Sequence, residues 1–127
     1  MQPDAAKAIV RRYLDAFNAD WERALRDFVD DEGLAEHVRQ MEGAFPNYQL
    51  TADDMIAEQD KVAVRFHLRA IHRGSLMGIS ATGREVLVEG IIIYRLANGR
   101  IAEHWLQVDM PGLLQQLGAV PTAAAHG

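Results

Sequence analysis

The sequence predicts an α+β domain in which three N-terminal helices pack against a curved, mostly antiparallel sheet. Three observations lead there. Apolar residues recur at helical spacing up to about residue 45 and at a spacing of two beyond it. Residues 85–112 read as two long strands joined at Ala97-Asn98-Gly99-Arg100, where Asn-Gly supplies the positive φ angles of a tight hairpin turn. Helices first and antiparallel strands afterwards belong to a segregated architecture, and a sheet bent around helices leaves a conical cavity at its open end.

Each element has its own signal. Asp4 is expected to cap a helix over residues 4–18 that buries Ala6, Ile9, Val10, Tyr13, Leu14 and Phe17. Asp20 caps a second helix with Trp21, Leu25, Phe28 and Val29 on its buried stripe, and Asp30-Asp31-Glu32-Gly33 breaks the pattern. A third, about 34–44, buries Leu34, Val38, Met41 and Phe45 with His37 on the same side. It ends at Phe45-Pro46-Asn47, because proline cannot continue a helix. Residues 48–58 read as extended, with an interruption at Ala52-Asp53-Asp54, and residues 62–73 as a strand. Residues 74–83 form a glycine-punctuated loop whose Leu76, Met77 and Ile79 are more apolar than a solvent loop requires. Pro111-Gly112 stops the last strand, residues 113–117 make a short helical turn, and residues 121–127 form a loose tail to a single domain spanning 1–120.

Composition narrows the function classes. With 127 residues, 49% of them hydrophobic, one domain with a real core is expected. A formal charge of −5 and a pI near 5.4 argue against nucleic-acid or anionic-membrane partners. The absence of cysteine excludes disulfides, thiol catalysis and cysteine-ligated metals. The start, Met-Gln-Pro-Asp, lacks a basic region followed by an apolar run, and no window resembles a membrane span. The expectation is a cytoplasmic, acidic, soluble domain.

Alternation assigns the sheet faces. Even positions are apolar over residues 62–70 and end on His72; they continue as Val86, Val88, Gly90, Ile92, Tyr94 and Leu96, then Ala102, His104, Leu106 and Val108. The even face therefore looks inward, carrying His72, Tyr94 and His104, unless a β-bulge in the last strand turns Trp105 inward instead. The odd face mixes Arg65, Arg69, Glu89, Arg95 and Glu103 with Ile91, Ile93 and Trp105. That mixture fits a twofold homodimer surface, or else a solvated face with incidental apolar residues.

Candidate chemistry concentrates near the hairpin. Asp109 leaves the last strand just before Met-Pro-Gly; at an apolar cavity mouth its pKa would rise and suit general acid/base work, whereas its bland use is to cap the turn. His104 and His72 would shuttle a proton or bond a carbonyl, or serve as satisfied structural histidines. Tyr13 and His37 would line the opposite wall, or simply fill the core. No metal site is expected: His67 and His72 are five apart on a strand and point to opposite faces, leaving only a convergence of His72, His104 and Asp109. No phosphate-cradling loop, serine elbow or dinucleotide fingerprint is present.

Several short motifs carry a resemblance. Ala16-Phe17-Asn18, Ala44-Phe45-Pro46, Asp60-Lys61-Val62-Ala63-Val64-Arg65, His72-Arg73-Gly74 and Thr82-Gly83-Arg84 are joined by Arg95-Leu96, the run Asn98-Gly99-Arg100-Ile101-Ala102-Glu103-His104-Trp105, Asp109 and Gln116-Leu117-Gly118. Together they make the chain resemble the SnoaL-like polyketide cyclases of the NTF2-like superfamily over nearly its whole length. The resemblance implies an α+β cone or barrel, usually dimeric, with an apolar cavity and no cofactor. The best-known members close rings in aromatic polyketides by intramolecular aldol condensation, with a carboxylate as acid/base. This chain departs from them where that carboxylate matches Leu106 and a partner histidine matches Ile92; Asp109 matches the aspartate that closes the family's Trp-then-Asp segment.

The combined expectation is a cofactor-independent cyclase acting on a polyketide-derived or similar small molecule. Asp109 would be the acid/base, assisted by His104 and His72. Tyr13, His37, Met41, Phe45, Tyr94, Trp105 and Leu106 would contact the substrate. Two alternatives stand beside it: an epoxide-opening enzyme of the limonene-epoxide-hydrolase-like type, and a non-catalytic small-molecule binder.

Overall fold

The structure, a computed structural model, describes residues 2–118; the predicted tail lies outside them. Three helices come first: α1 (Pro3–Ala19), α2 (Trp21–Phe28) and α3 (Glu32–Ala44). Four strands follow, β1 (Gln49–Glu58), β2 (Lys61–Ile71), β3 (Glu85–Ala97) and β4 (Arg100–Val108), and then a short α4 (Met110–Gln116). The strands form one antiparallel sheet in sequence order. This is the α+β fold the sequence predicts.

Helix starts follow the local chemistry. α1 begins one residue earlier than expected: Pro3 occupies its first turn, where a missing N–H costs nothing, and Asp4 sits inside that turn rather than capping it. Asp20 caps α2 by accepting from the Arg23 amide at 3.1 Å, and Asp31 caps α3 by accepting from Leu34 at 3.0 Å. α1 buries Ala6, Val10, Tyr13, Leu14 and Phe17 against the sheet. Each large side chain there stabilises the fold by about 1.5–3 kcal/mol.

Two bulges shape the sheet. One lies between Ala52 and Asp54 and absorbs the interruption seen in the sequence. The other lies at the start of β4, where Leu96 pairs with Ile101 but Arg95 pairs with Glu103, leaving Ala102 unpaired. Ile101 thus points inward together with the even residues that follow it. The hairpin turn is as expected: Asn98 and Gly99 adopt φ values of 55° and 75°. β2 and β3 bury their even residues, including Val62, Val64, Val86, Val88 and Tyr94.

The outer face holds paired charges and uncovered apolar groups. Asp53 pairs with His67 at 2.9 Å, Arg69 with Glu85 at 2.9 Å, and Arg95 with Glu103. Between them Ile56, Leu87, Ile91 and Trp105 are about half exposed or more.

Candidate active site

Between α1, α3 and the inner sheet face lies an apolar cavity of about 90 Å³. Its wall includes Tyr13, Leu34, His37 and Met41 from the helices, Tyr48 and Leu50 beyond α3, and Ile92, Tyr94, Leu106 and Val108 from the hairpin. Leu76 from the 74–83 loop and Met110 and Leu113 from α4 complete it. Ile92 and Leu106 face one another across the β3–β4 ladder. The two positions where the family resemblance expects a histidine and an aspartate are therefore adjacent, inward-facing and apolar.

One step along the same ladder the chemistry reappears. Tyr94 pairs with His104, about 7 Å from the Ile92–Leu106 pair by strand geometry. The His104 side chain, mostly buried, has Nδ1 2.6 Å from Asp31 Oδ2. Because the carboxylate accepts, Nδ1 carries the proton in a neutral ring and Nε2 is left as the acceptor. Burial works against the Asp31 charge, but hydrogen bonds from His104 and from the Leu34 and Gly33 amides outweigh it and hold the carboxyl below its ordinary range.

Asp31 is fixed by two devices. Its other oxygen caps α3, as described above. The chain entering it is tied to β4: the amides of Asp30 and Asp31 both donate to the Ile101 carbonyl, at 2.8 and 3.2 Å. Arg100 adds a clamp, donating to Asp30 Oδ1 and to the carbonyls of Arg26, Asp27 and Val29. The turn that starts α3 is thereby held against the strand that carries His104. Neither Asp31 nor His104 is part of the cavity wall; His37 is, and burial, then the nearby His104, depress its pKa and favour the neutral ring.

The other expected residues divide. Tyr13, His37, Met41, Tyr94 and Leu106 line the cavity. Asp109 does not: its exposed carboxylate caps α4, accepting from the Gly112 amide at 3.0 Å, and a side chain at Gly112 would collide with it. The residues expected merely to stop the strand instead begin a helix, and Asp109 is its cap. His72 is fully buried outside the cavity wall. Its Nδ1 accepts from the Thr82 amide at 3.1 Å and from the Thr82 hydroxyl at 3.0 Å, closing the base of the 74–83 loop. Phe45 packs on the His72 ring with centroids 5.4 Å apart, behind the wall rather than in it. Trp105 lies on the outer face, 47% exposed, with the Lys61 ammonium 5.6 Å from its ring centroid, because the bulge precedes it and leaves the later parity unchanged. Among the described residues, no three His, Asp or Glu side chains gather as a metal ligand set.

Sequence reasoning missed Asp31 and Tyr48. Asp31 had a visible signal, an aspartate three residues before the first buried leucine of α3. Its pairing with a residue 73 positions away had none.

Known proteins agree with this architecture. Residues 31–117 match the family model described as SnoaL-like polyketide cyclase. Aklanonic acid methyl ester cyclase DnrD of Streptomyces peucetius is 28% identical over 128 aligned positions, covering 87% of this chain and 88% of that protein. Among solved structures, AclR of Streptomyces galilaeus, a proposed hydroxylase, is similar with a TM-score of 0.82 and 27% identity, over 94% of this chain and 100% of that one. IdmH of Streptomyces antibioticus, a proposed polyketide cyclase, gives a TM-score of 0.76 and 26% identity, over 89% and 98%. The family match spans both members of the Asp31–His104 pair and most of the cavity wall, and the chain belongs to the SnoaL-like polyketide cyclase family.

Proposed function

We propose that this protein closes a ring in a polyketide-derived, carbonyl-bearing small molecule without a cofactor, using Asp31 and His104 as its acid/base pair. The observation that carries the reading is the 2.6 Å carboxylate–imidazole contact on the inward face of β4, one ladder step from the position where the family resemblance expects its aspartate. His104 Nε2 takes a proton from the carbon beside a carbonyl, and the electron pair passes to the carbonyl oxygen as an enolate. The enolate carbon attacks a second carbonyl of the same molecule, forming the new C–C bond. The imidazolium, stabilised by Asp31, returns its proton to the new alkoxide. A well-placed base of this kind contributes about 10²–10⁴-fold. The relative DnrD, an aklanonic acid methyl ester cyclase, supports ring closure as the reaction type.

A cavity of about 90 Å³ holds roughly a few waters or one small ring. A polycyclic substrate exceeds that volume, so a small substrate suits the test. The test is ring closure of an aliphatic diketone able to form a six-membered ring, followed by NMR, with an epoxide of similar size run beside it. Turnover of the diketone that collapses in His104→Ala and Asp31→Ala supports the reading. Conversion of the epoxide alone would replace it with epoxide opening.

A second reading, binding without catalysis, draws on the apolar Ile92–Leu106 pair and on the capping role of Asp109. It predicts thermal protection by ligands with no substrate converted. For assembly, we infer a twofold homodimer through the outer sheet face, supported by the exposure of Ile56, Leu87, Ile91 and Trp105 on that one face.

A further inference from the structure

Three phenols and His37 stand among the apolar residues of the cavity wall. Tyr13 from α1, Tyr48 just before β1 and Tyr94 from β3 all line it, and all three are at least 95% buried. The Tyr13 ring packs edge-on against Tyr94 with centroids 5.8 Å apart, and Phe17 packs on both Tyr13 and Tyr48. These contacts fix the rings and leave the hydroxyls as the free ends. Among the described residues none of the three hydroxyls hydrogen-bonds a protein group, and the sealed, unpaired side-chain atoms are Glu42 Oε2 and His72 Nε2 rather than any phenol oxygen. The phenol oxygens are therefore not sealed, and all three tyrosines line the cavity.

A buried hydroxyl without a partner is costly. Three in one cavity amount to a polar arrangement awaiting a ligand that accepts hydrogen bonds. Burial raises all three pKa values, and in Tyr94 the neighbouring phenols add to it, so the groups stay neutral and act as donors near neutral pH. Tyr94 is also the cross-strand partner of His104, which places Cβ atoms about 5 Å apart. The ladder thus sets His104, beside the wall, next to the cavity-lining Tyr94.

We propose that Tyr94, flanked by Tyr13 and Tyr48, forms the donor cluster that receives the oxyanion of the bound molecule. This rests on the acid/base reading above and deepens it. As His104 removes the proton, the charge that develops on the carbonyl oxygen meets preorganised donors in a water-poor site, where such contacts are strongest. No electron acceptor or other co-reactant is required: the C–H electron pair moves onto oxygen, and the proton moves to His104.

The test uses para-nitrophenol, an enolate-like probe whose ionised form absorbs visible light, with nitrobenzene as the neutral control that lacks the para oxygen. Wild type, Tyr94→Phe, Tyr48→Phe and His104→Ala are titrated by absorbance and calorimetry. The ring-conserving Phe substitutions keep the aromatic packing. The expected result is saturable binding of the ionised probe to wild type, weakened about tenfold or more in Tyr94→Phe, with nitrobenzene affinity unchanged. Equal nitrophenol affinity in wild type and both Phe variants, a parallel loss of nitrobenzene affinity, or no saturable binding to wild type would each overturn the proposal. Deuterium exchange into ethyl acetoacetate, run on the same proteins, separates the two claims. Tyr94-dependent nitrophenol binding without His104-dependent exchange keeps the donor cluster and removes the acid/base reading; the reverse pattern removes the cluster and keeps the base.

Discussion

Replacing Asp31 and His104 singly and together measures how strongly the structure joins them. Asp31 has two separable duties, because Oδ1 caps α3 and Oδ2 meets His104. Loss of the cap costs about 1 kcal/mol. A charge-assisted hydrogen bond contributes about 1.5–3 kcal/mol, and side chains only 14% and 20% exposed leave modest room for solvent screening. Asp31→Ala should therefore lose about 3 kcal/mol, and Asp31→Asn, which still caps, about 1–2 kcal/mol. The double-mutant cycle with His104→Ala, by urea denaturation near neutral pH, should give a coupling of about 1.5 kcal/mol or more. The folded pKa of Asp31 is depressed, so its contribution is fully present above its unfolded value of about 3.9. It is lost as pH falls through the folded value. A coupling below about 0.5 kcal/mol, or one that survives protonation of Asp31, would refute the pairing.

Three further outcomes follow from other contacts. Gly74→Ala places a Cβ 1.9 Å from the Gly43 carbonyl oxygen, a backbone atom that cannot step aside; it should cost about 1–3 kcal/mol and lower Tm by roughly 3–5 °C per kcal/mol. His37 has a folded pKa below its unfolded value, so the unfolded chain binds more protons and stability rises with pH up to about 6.5; Tm measured across that range should slope upward in wild type and less so in His37→Gln. Ile91→Arg or Trp105→Glu, each on the outer face, should shift sedimentation from dimer to monomer while leaving the circular dichroism spectrum unchanged; a wild-type monomer would contradict the inferred assembly.

The sequence carried more of the fold than of the site, for reasons visible in particular residues. Period-two alternation reports burial directly, so the inward sets Val62 to Ala70 and Val86 to Leu96 were legible, as was the Asn98–Gly99 turn. The β4 bulge was foreseen as an event but not located; it falls at Ala102, before the polar residues, and so leaves His104 inward and Trp105 outward. An aspartate before Met-Pro-Gly fits both a cap and an acid/base pattern, and in the structure Asp109 caps the helix that forms there. His72 was correctly placed on the inward face, yet its strand runs past the cavity and its ring closes the loop through Thr82 instead. Asp31 was hidden because its role depends on Arg100 and Ile101 holding the α3 entry against β4, a contact between segments some 70 residues apart.

Proton abstraction at the Asp31–His104 pair is the central claim, and it can be isolated from ring closure. Deuterium incorporation at the carbon between the carbonyls of ethyl acetoacetate needs no second reacting carbonyl and no fused substrate. Wild type should accelerate exchange above the buffer rate, with His104→Ala returned to that rate and Asp31→Asn lying between them. Exchange at the buffer rate in wild type, or an undiminished rate in His104→Ala, would contradict the account.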